Sequence, residues 1–345
     1  METPPVQYVT TSDGFNIAYT VCGEGQPFVW ASEVFSHLRL DWLSPRRSAF
    51  EQLAQRFRFV KYDGRGQGMS TRGPTTDFSL DDDVSDLEAI MDGTGIERAV
   101  LFGSTYWGHV ALRYAVKHPE RVRALILWNS RVDASGRSGS LDVMPSENWD
   151  LFVDATARVG SSLQDPESAK HRIRDSVTQA DFLTRLKPVQ RSSIAGIVAS
   201  VCGPVLVLAT PGMAFVSEQW SIQLAAILPG SHLVVIDHAD GGLNSDEPGP
   251  KLAIEAIDSF LAGLRKEDGS SPVAPAWTGA ALHGLTRREI EVLRLVASGK
   301  SSREIGDDLS LSVRTVERHV ANIYLKTETH GRAQLATYAL RNNLS

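Results

Sequence analysis

Residues 103–108 lie between an apolar run and an amphipathic run, and they include two adjacent hydroxyl side chains, Ser104 and Thr105. A hydroxyl presented on a sharp strand-to-helix turn can attack a carbonyl carbon when a base takes its proton. Spacing from Gly103 makes Thr105 the nucleophile position, whereas moving the nucleophile to Ser104 loses that spacing. The turn also requires a small residue two places after the nucleophile, where Trp107 is expected to crowd it. The β-branch of Thr105 further restricts its side-chain rotation.

A second group of residues, near the C-terminus, has the pattern of a nucleic-acid contact. The sequence predicts helices at Ser302–Leu309 and Val313–Lys326, joined by a tight turn at residues 310–311. The apolar residues expected to point inward from the second helix are Val316, Val320 and Ile323. Its outer side is expected to carry the polar and basic residues Arg314, Thr315, Glu317, Arg318, His319 and Asn322. This pattern predicts a helix-turn-helix whose second helix enters the major groove of DNA.

The elements that must position the nucleophile turn lie in residues 1–263, where β-rich apolar runs alternate with amphipathic segments. This alternation predicts βαβ units around a mostly parallel sheet. The candidate strands are Phe28–Ala31, Phe57–Tyr62, Ala99–Phe102, Ala124–Trp128, Val205–Ala209 and His232–Ile236. Within about residues 131–200 the strand signal disappears, and helices broken at Pro145, Pro166 and Pro188 predict a lid over one end of the sheet. The predicted fold is therefore an α/β sheet with a helical lid, followed by a small all-α domain.

The predicted domain division is 1–263, a linker at 264–284 rich in Gly, Ser and Pro, and a helical domain at 285–345. Residues 285–345 carry a net charge of +3 (10 Lys and Arg against 7 Asp and Glu), and the remainder carries −9 within a total of −6. A basic domain on an acidic body suits contact with a polyanion.

Composition excludes several classes of protein. With 42% hydrophobic and 22% charged residues, wholesale disorder is not expected. The N-terminal sequence has no signal-peptide pattern, and no run approaches the roughly 18 apolar residues of a membrane span. Cys22 and Cys202 form no motif and are expected to be free, buried thiols. The sequence predicts a cytoplasmic protein without metal or cofactor.

The segment from Leu285 onward resembles the DNA-binding domain of the LuxR/GerE family, through LTRREIEVLRLVASGKSSREI and LSVRTVERHVANIY. The resemblance implies a four-helix domain with a final helix at Ala333–Leu340, binding double-stranded DNA as a homodimer on two half-sites. By the same resemblance, the residues facing bases are Glu317, Arg318 and Ala321. Those facing phosphates are Arg314, Thr315, His319 and Lys326.

The larger domain resembles α/β-hydrolases over about residues 5–263, through YDGRGQGMS at 62–70, LFGSTYWG at 101–108 and HPERVRALIL at 118–127. The resemblance places the catalytic acid at Met213 and the catalytic histidine at Asp240, with His238 two residues away. It places the oxyanion loop at Ser32–Glu33, where a carboxylate would repel a developing oxyanion. These substitutions predict a hydrolase fold without catalysis.

A pocket can outlast the loss of catalysis. We expect a small hydrophobic ligand between sheet and lid, contacted by Glu33, Thr105, Tyr106, Trp107, Met213 and His238. Aromatic side chains expected to line the same pocket are Trp30, Phe35, Trp149 and Phe152. Two alternatives remain open: an unorthodox esterase using His238 with Thr105 or Ser104, and a protein-interaction platform with a filled pocket.

Overall fold

The computed structural model describes residues 2–73, 78–133, 140–160, 166–211, 217–236 and 249–268, and in the C-terminal part residues 292–293, 295–297, 300–309, 313–327, 329, 331, 334–335 and 338–339. The chain divides into two compact units, the first formed by most of residues 1–272 and the second mainly by Val273–Ser345.

One eight-stranded sheet organises the first unit. Its order is β1-β2-β4-β3-β5-β6-β7-β8; β1 and β2 pair antiparallel and β2 pairs antiparallel with β4, and the other neighbours are parallel. The strands are β1 Gln7–Thr10, β2 Asn16–Cys22, β3 Pro27–Trp30, β4 Arg58–Tyr62, β5 Ala99–Ser104, β6 Val122–Trp128, β7 Val205–Ala209 and β8 His232–Val235. All six predicted strands are confirmed, and β1 and β2 are additional.

Helices cover the sheet and its carboxyl edge. Those of the first unit are α1 Leu38–Asp41, α2 Arg47–Ala54, α3 Leu80–Gly93, α4 Trp107–Lys117, α5 Ser140–Glu147, α6 Trp149–Gly160, α7 Pro166–Ser176, α8 Gln179–Gln190, α9 Glu218–Ile227 and α10 Gly249–Asp268, with short 3₁₀ turns at Pro119–Arg121 and Val198–Ser200. Helix α10 includes residues 264–268 of the predicted linker; residues 269–284 lie outside the described residues.

The main core lies between the sheet and helices α2 and α10. Trp30 is fully buried there, its ring centroid 4.2 Å from that of Phe102 and 5.6 Å from that of Phe50. The expectation that Trp30 lines a pocket is therefore wrong, because its side chain points to the packed face of β3. Parallel strands covered on both faces bury nearly every residue, as β5 and β7 do here.

The lid forms a separate aromatic cluster from helices α6, α7 and α8 and the loop after β3. Phe35 stacks on Phe182 at 5.5 Å, and Phe152 and Trp149 complete the cluster. Three of the six aromatic residues predicted for the pocket, Phe35, Trp149 and Phe152, thus come together here.

The prolines act differently from the prediction within the lid. Pro166 opens α7, a position that suits proline, but Pro145 and Pro188 lie inside α5 and α8 without ending them. A proline removes one backbone hydrogen bond, and helices packed against neighbours can continue past that loss.

In the second unit the described helices are α11 Ser302–Leu309 and α12 Val313–Thr327, with further helical residues at 292–293, 295–297, 334–335 and 338–339. Its core is aliphatic and includes Val292, Leu293, Ile305 and Leu335. The predicted helix at Ser302–Leu309 is confirmed at both ends, and the next helix extends one residue beyond its predicted end.

Both cysteines are free, as expected, but Cys22 is half-buried and Cys202 is exposed, so the expectation of buried thiols is wrong. Cys202 lies in the loop just before β7. No described helix is both long and apolar enough to cross a membrane.

Candidate functional site

The nucleophile turn is a sharp connection between β5 and α4. Thr105 has φ of 49°, a left-handed conformation that a β-branched residue rarely adopts, and its amide donates to the Trp128 carbonyl at 2.9 Å. A Cβ on Gly103 would lie 2.8 Å from the Gly108 Cα, and one on Gly108 would lie 2.2 Å from Ser130 Oγ.

The close contacts of the turn therefore fall on Gly103 and Gly108. Trp107 is the first residue of α4, is 5% exposed and packs edge-on to Tyr106 at 6.3 Å. The expected crowding of the turn by Trp107 is thus wrong, because the small residue that this turn needs stands one position later.

Tyr106 faces a buried arginine at the end of β6. Its hydroxyl accepts from the Arg131 guanidinium, whose carbon lies 4.2 Å from the Tyr106 ring centroid and 4.8 Å from that of Trp220. Two aromatic faces thus hold the planar cation next to the nucleophile turn.

Glu33, predicted in the ligand pocket, lies in the loop after β3 with its side chain 12% exposed. One carboxylate oxygen pairs with Arg46, and the other accepts a hydrogen bond from Ser104 Oγ at 3.2 Å. Arg46 therefore compensates the charge of Glu33. Sequence reasoning missed this partner because no motif connects residues 33 and 46.

Glu33 and Arg46 belong to a larger buried group, the edge charge cluster, which also includes Asp41, Lys61 and Asp63. Lys61 Nζ lies 3.0 Å from Asp41 Oδ2 and donates to Ser36 Oγ at 2.8 Å. Ser36 in turn donates to Asp63 at 2.6 Å. The cluster links the ends of β3 and β4 through charge pairs. A lysine inside an apolar strand was the only sequence signal for it.

The cluster keeps Asp41 ionised. Burial alone would raise the pKa of this carboxyl, but Lys61, Arg46 and Arg172 lower it to about 2. Burial raises the pKa of Asp63 in spite of Lys61.

The lid is anchored to the loop after β3. Phe35 has φ of 61°, and its carbonyl accepts from Arg172 Nη1 at 2.9 Å and from Ser176 Oγ at 3.0 Å, both on α7. The Gly68 amide donates to the Ser176 carbonyl at 2.7 Å. Movement of α7 would therefore be transmitted to the loop that carries Glu33.

An ion pair also joins the lid to α3. Arg185 of α8 pairs with Asp83 at 2.6 Å and donates to the Arg65 carbonyl at 2.6 Å. Arg65 pairs with Asp86 at 2.8 Å. Burial raises the pKa of Asp86 to about 6 in spite of that pairing.

His109, on α4, is fully buried and bonded on both ring nitrogens, to the Ser192 hydroxyl and to the Arg131 carbonyl at 2.7 Å. Burial lowers its pKa to about 4, so it is neutral at pH 7. Its partners fix its position, and it faces neither Thr105 nor Ser104 in a hydrogen bond.

The other predicted ligand and catalytic positions, Met213, His238 and Asp240, lie outside the described residues. A pocket of about 340 Å³ lies elsewhere, lined by residues that include Thr20, Leu38, Leu43 and Met69. The predicted contact of Thr105 with a ligand stays a prediction.

Helix α12, predicted to enter the major groove of DNA, has the predicted inner side. Val316 and Ile323 are fully buried and Val320 is 7% exposed. On the other side Glu317 and Ala321 are exposed, and His319 is half-buried. The side chains of Arg314, Thr315, Arg318, Asn322 and Lys326 lie outside the described set.

The topology and the turn after β5 define the α/β-hydrolase fold. The family model described as "alpha/beta hydrolase fold" matches residues 40–192. A hydrolase from Pseudomonas aeruginosa superimposes with a TM-score of 0.62 at 20% identity, covering 74% of this chain and 98% of that one. A bromoperoxidase from Bacillus anthracis superimposes with a TM-score of 0.64 at 15% identity, covering 75% and 100%. At these identities the likeness shows the fold alone.

Sequence relatives divide in the same way as the chain. The putative carbamate hydrolase RutD of Agrobacterium fabrum is 26% identical over 211 residues, 57% of this chain and 81% of RutD. The transcriptional regulatory protein LiaR of Bacillus subtilis is 47% identical over 95 residues, 28% of this chain and 41% of LiaR, so less than half of LiaR is spanned. The family model described as "Bacterial regulatory proteins, luxR family" matches residues 283–339. The chain is an α/β-hydrolase domain fused to a LuxR-type DNA-binding regulator domain.

Proposed function

We propose that this chain is a one-component transcription regulator whose hydrolase-like domain binds a small ligand without turning it over. The observation that carries the proposal is the placement of Glu33 beside the nucleophile turn, bonded to Ser104. Hydrolases need hydrogen-bond donors at that loop to stabilise an oxyanion. Arg46 compensates the charge of Glu33 but leaves the loop with acceptor oxygens.

The other catalytic positions support the same proposal. The nucleophile position is Thr105, and the acid and histidine positions read Met213 and Asp240. Loss of several members of a catalytic triad leaves little beyond binding. His238, Tyr106 and Trp107 are proposed as ligand contacts together with Glu33, Thr105 and Met213.

The ligand is proposed to be small and fairly hydrophobic, in the class of esters, lactones, aromatic acids or carbamates. The first three follow from the substrates of hydrolases in general, and the last from the printed name of RutD.

Ligand binding is proposed to act through the lid. Arg172 and Ser176 connect α7 to the Phe35 carbonyl, so closing the lid on a ligand shifts the loop after β3. A ligand changes the output only if it binds two states with different affinity, usually by a few kcal/mol.

The output is proposed to be binding of a homodimer to two DNA half-sites in the cytoplasm. Glu317, Arg318 and Ala321 face bases, and Arg314, Thr315, His319 and Lys326 face phosphates. The buried inner side of α12 supports this orientation, since it leaves the opposite side free for the major groove.

A DNA-selection experiment tests the regulator. The purified chain is expected to enrich duplexes with two half-sites and to bind them more weakly as salt rises. Arg318→Ala is expected to lower affinity at least about tenfold, the range of one lost base contact. Lys251→Ala, an equal loss of charge on the hydrolase-like unit, is the matched control. A chain that enriches no sequence would contradict the proposal.

A second candidate function is an unorthodox hydrolase. It is favoured by the 3.2 Å contact between Ser104 Oγ and Glu33 Oε2, because a carboxylate could accept the hydroxyl proton. Arg46 already occupies the other oxygen of Glu33, and Ser104 is 3% exposed. Turnover of p-nitrophenyl acetate that disappears in Ser104→Ala or Thr105→Ala would favour this candidate.

A further inference from the structure

Gln67 is a buried polar side chain for which the proposed mechanism has no role. It lies in the turn after β4 and is fully buried. Neither its amide nitrogen nor its amide oxygen has a hydrogen-bond partner in the part of the chain that the structure describes. A buried amide normally bonds through both atoms, because an unpaired buried polar atom keeps its full desolvation penalty. Leucine would fill similar space without that penalty, so the amide points to a partner from outside the chain.

Gln67 lies at the carboxyl edge of the sheet, close to the nucleophile turn. A Cβ on Gly64 would be 3.4 Å from Gln67 Nε2 and 3.1 Å from Ser32 Oγ, so these two side chains flank one glycine. Ser32 immediately precedes Glu33, which accepts from Ser104. Strands β4, β3 and β5 are neighbours in the sheet. Gln67 therefore lies at the end of the sheet where open α/β folds bind ligands.

Trp107 adds another unpaired group at this edge. The residue is 5% exposed, and its indole Nε1 is buried without a partner within the described residues. The residue follows the end of β5, two positions after Thr105. The ends of β4 and β5 thus supply two unpaired donors, Gln67 Nε2 and Trp107 Nε1, and one unpaired acceptor, Gln67 Oε1.

We infer that Gln67 recognises a carboxamide-type group of the ligand, a neutral planar group with a carbonyl oxygen and an N–H side by side. Gln67 Nε2 donates to the ligand carbonyl, and the ligand N–H donates to Gln67 Oε1. This pairing satisfies both unpaired amide atoms at once. The inference rests on the proposed ligand-binding function and names the ligand class.

The same geometry selects against related groups. An ester presents its carbonyl oxygen but has no N–H, so Gln67 Oε1 would stay buried and unpaired. A carboxylate would set a second oxygen against Oε1 and bring negative charge toward Glu33. A site built to bond a donor rejects analogues that lack it, because its own polar atom is then left without a partner.

Matched amide and ester pairs test the inference on the full chain. The probes are acetamide with methyl acetate, butyramide with methyl butyrate, and benzamide with methyl benzoate. Dissociation constants are measured by titration calorimetry and by ligand-observed NMR. We expect the amide of at least one pair to bind at least about tenfold more tightly than its ester. In Gln67→Met, which keeps the side-chain length and removes both amide atoms, this preference is expected to disappear.

A second variant and a measurement of folding serve as controls. Gln67→Glu keeps the shape but replaces the donor nitrogen with an anionic oxygen, and it is expected to lose amide binding as well. The melting temperature of each variant shows that it is folded. Equal binding of amides and esters, a preference that survives Gln67→Met, or no binding by any probe would each overturn the inference.

DNA binding separates this inference from the proposed function. An amide that binds through Gln67 without changing DNA affinity supports the Gln67 assignment and contradicts the sensor. An ester that changes DNA affinity equally in the native chain and in Gln67→Met supports the sensor and overturns the Gln67 assignment.

Discussion

The packed face of the sheet and its carboxyl edge are built from different interactions. On the packed face, Trp30, Phe50 and Phe102 lie among aromatic and aliphatic side chains whose contacts have no fixed direction. At the edge, Asp41 and Lys61 are fully buried charges, each dependent on a partner at a fixed distance. Apolar packing tolerates small changes of volume, but a buried ion without its partner is strongly destabilising. An isosteric change at the edge should therefore lower the free energy of unfolding more than removal of one methylene from the packed face does.

Asp41→Asn gives the largest expected effect. The variant keeps the size of the side chain but removes the anion that Lys61 and Arg46 share, and we expect a loss of about 3–5 kcal/mol in the free energy of unfolding. Urea unfolding followed by tryptophan fluorescence measures it. The control is Asp92→Asn, which removes a 68% exposed partner of Arg121 and should change stability by less than about 1 kcal/mol. Equal losses in the two variants would remove the distinction between edge and surface charges.

His109 should make the edge sensitive to acid. The unfolded chain protonates this histidine near pH 6.5, whereas the folded protein does so only near pH 4, mainly because of burial. The hydrogen bond to the Arg131 carbonyl and the charge of Asp133 favour the proton, while the charges of Arg131 and Arg113 oppose it. Protons thus bind the unfolded state first, and the free energy of unfolding falls between pH 6.5 and 4. At about 1.4 kcal/mol per pKa unit, the loss reaches about 3 kcal/mol.

His109→Gln should flatten that dependence. Its stability is compared with that of the native chain by urea unfolding at pH 7, 6, 5 and 4. Parallel curves for the two proteins would show that another group carries the pH effect.

Ile257→Val tests the packed face. The side chain is fully buried in α10 against the sheet, and removing one methylene should cost about 0.5–1.5 kcal/mol. Urea unfolding measures the loss under the conditions used for Asp41→Asn. A cost as large as that of Asp41→Asn would contradict the contrast between the two regions.

Thr105→Gly should change stability in the opposite direction. Glycine adopts the φ of 49° without steric strain, and we expect a gain of up to about 1 kcal/mol after the entropy of the glycine is subtracted. Thr10→Gly, on an exposed position of β1, makes the same chemical change without a left-handed backbone and should lose stability. Losses in both variants would show that the turn at Thr105 stores no strain.

The parallel part of the fold was predictable because its strands are nearly continuous apolar runs between turn signals. Strand β1 was missed because it is mostly exposed and mixes polar with apolar residues at the edge of the sheet. Strand β2 was missed although four of its seven residues are buried. Helices α11 and α12 were predicted almost to the residue, since their buried residues repeat at helical spacing.

The candidate site was predictable only in part. The glycine spacing located the turn at Thr105, but it could not show that Gly108, rather than residue 107, makes the close contact. Nor did the spacing of residues reveal the pairing of Glu33 with Arg46 or the unpaired amide of Gln67. Three acidic residues, 81–83, lie in the first turn of α3, where negative charge favours the helix N-terminus. Asp82 does serve the capping box with Ser79, yet Asp83 pairs with Arg185 of the lid.

By itself the sequence determined what depends on local order along the chain: the strand runs, the nucleophile turn and the two helices of the DNA-binding motif. Local order decides the strands through their nearly continuous apolar runs, the turn through its glycine spacing, and the helices through buried residues at helical spacing. The tertiary structure alone decided which charges meet at the carboxyl edge, and that Arg172 holds the lid to the Phe35 carbonyl. Glu33 and Arg46 are 13 positions apart, and Phe35 and Arg172 are 137 apart. The energy of such contacts depends on distance and burial, which the order of residues does not specify.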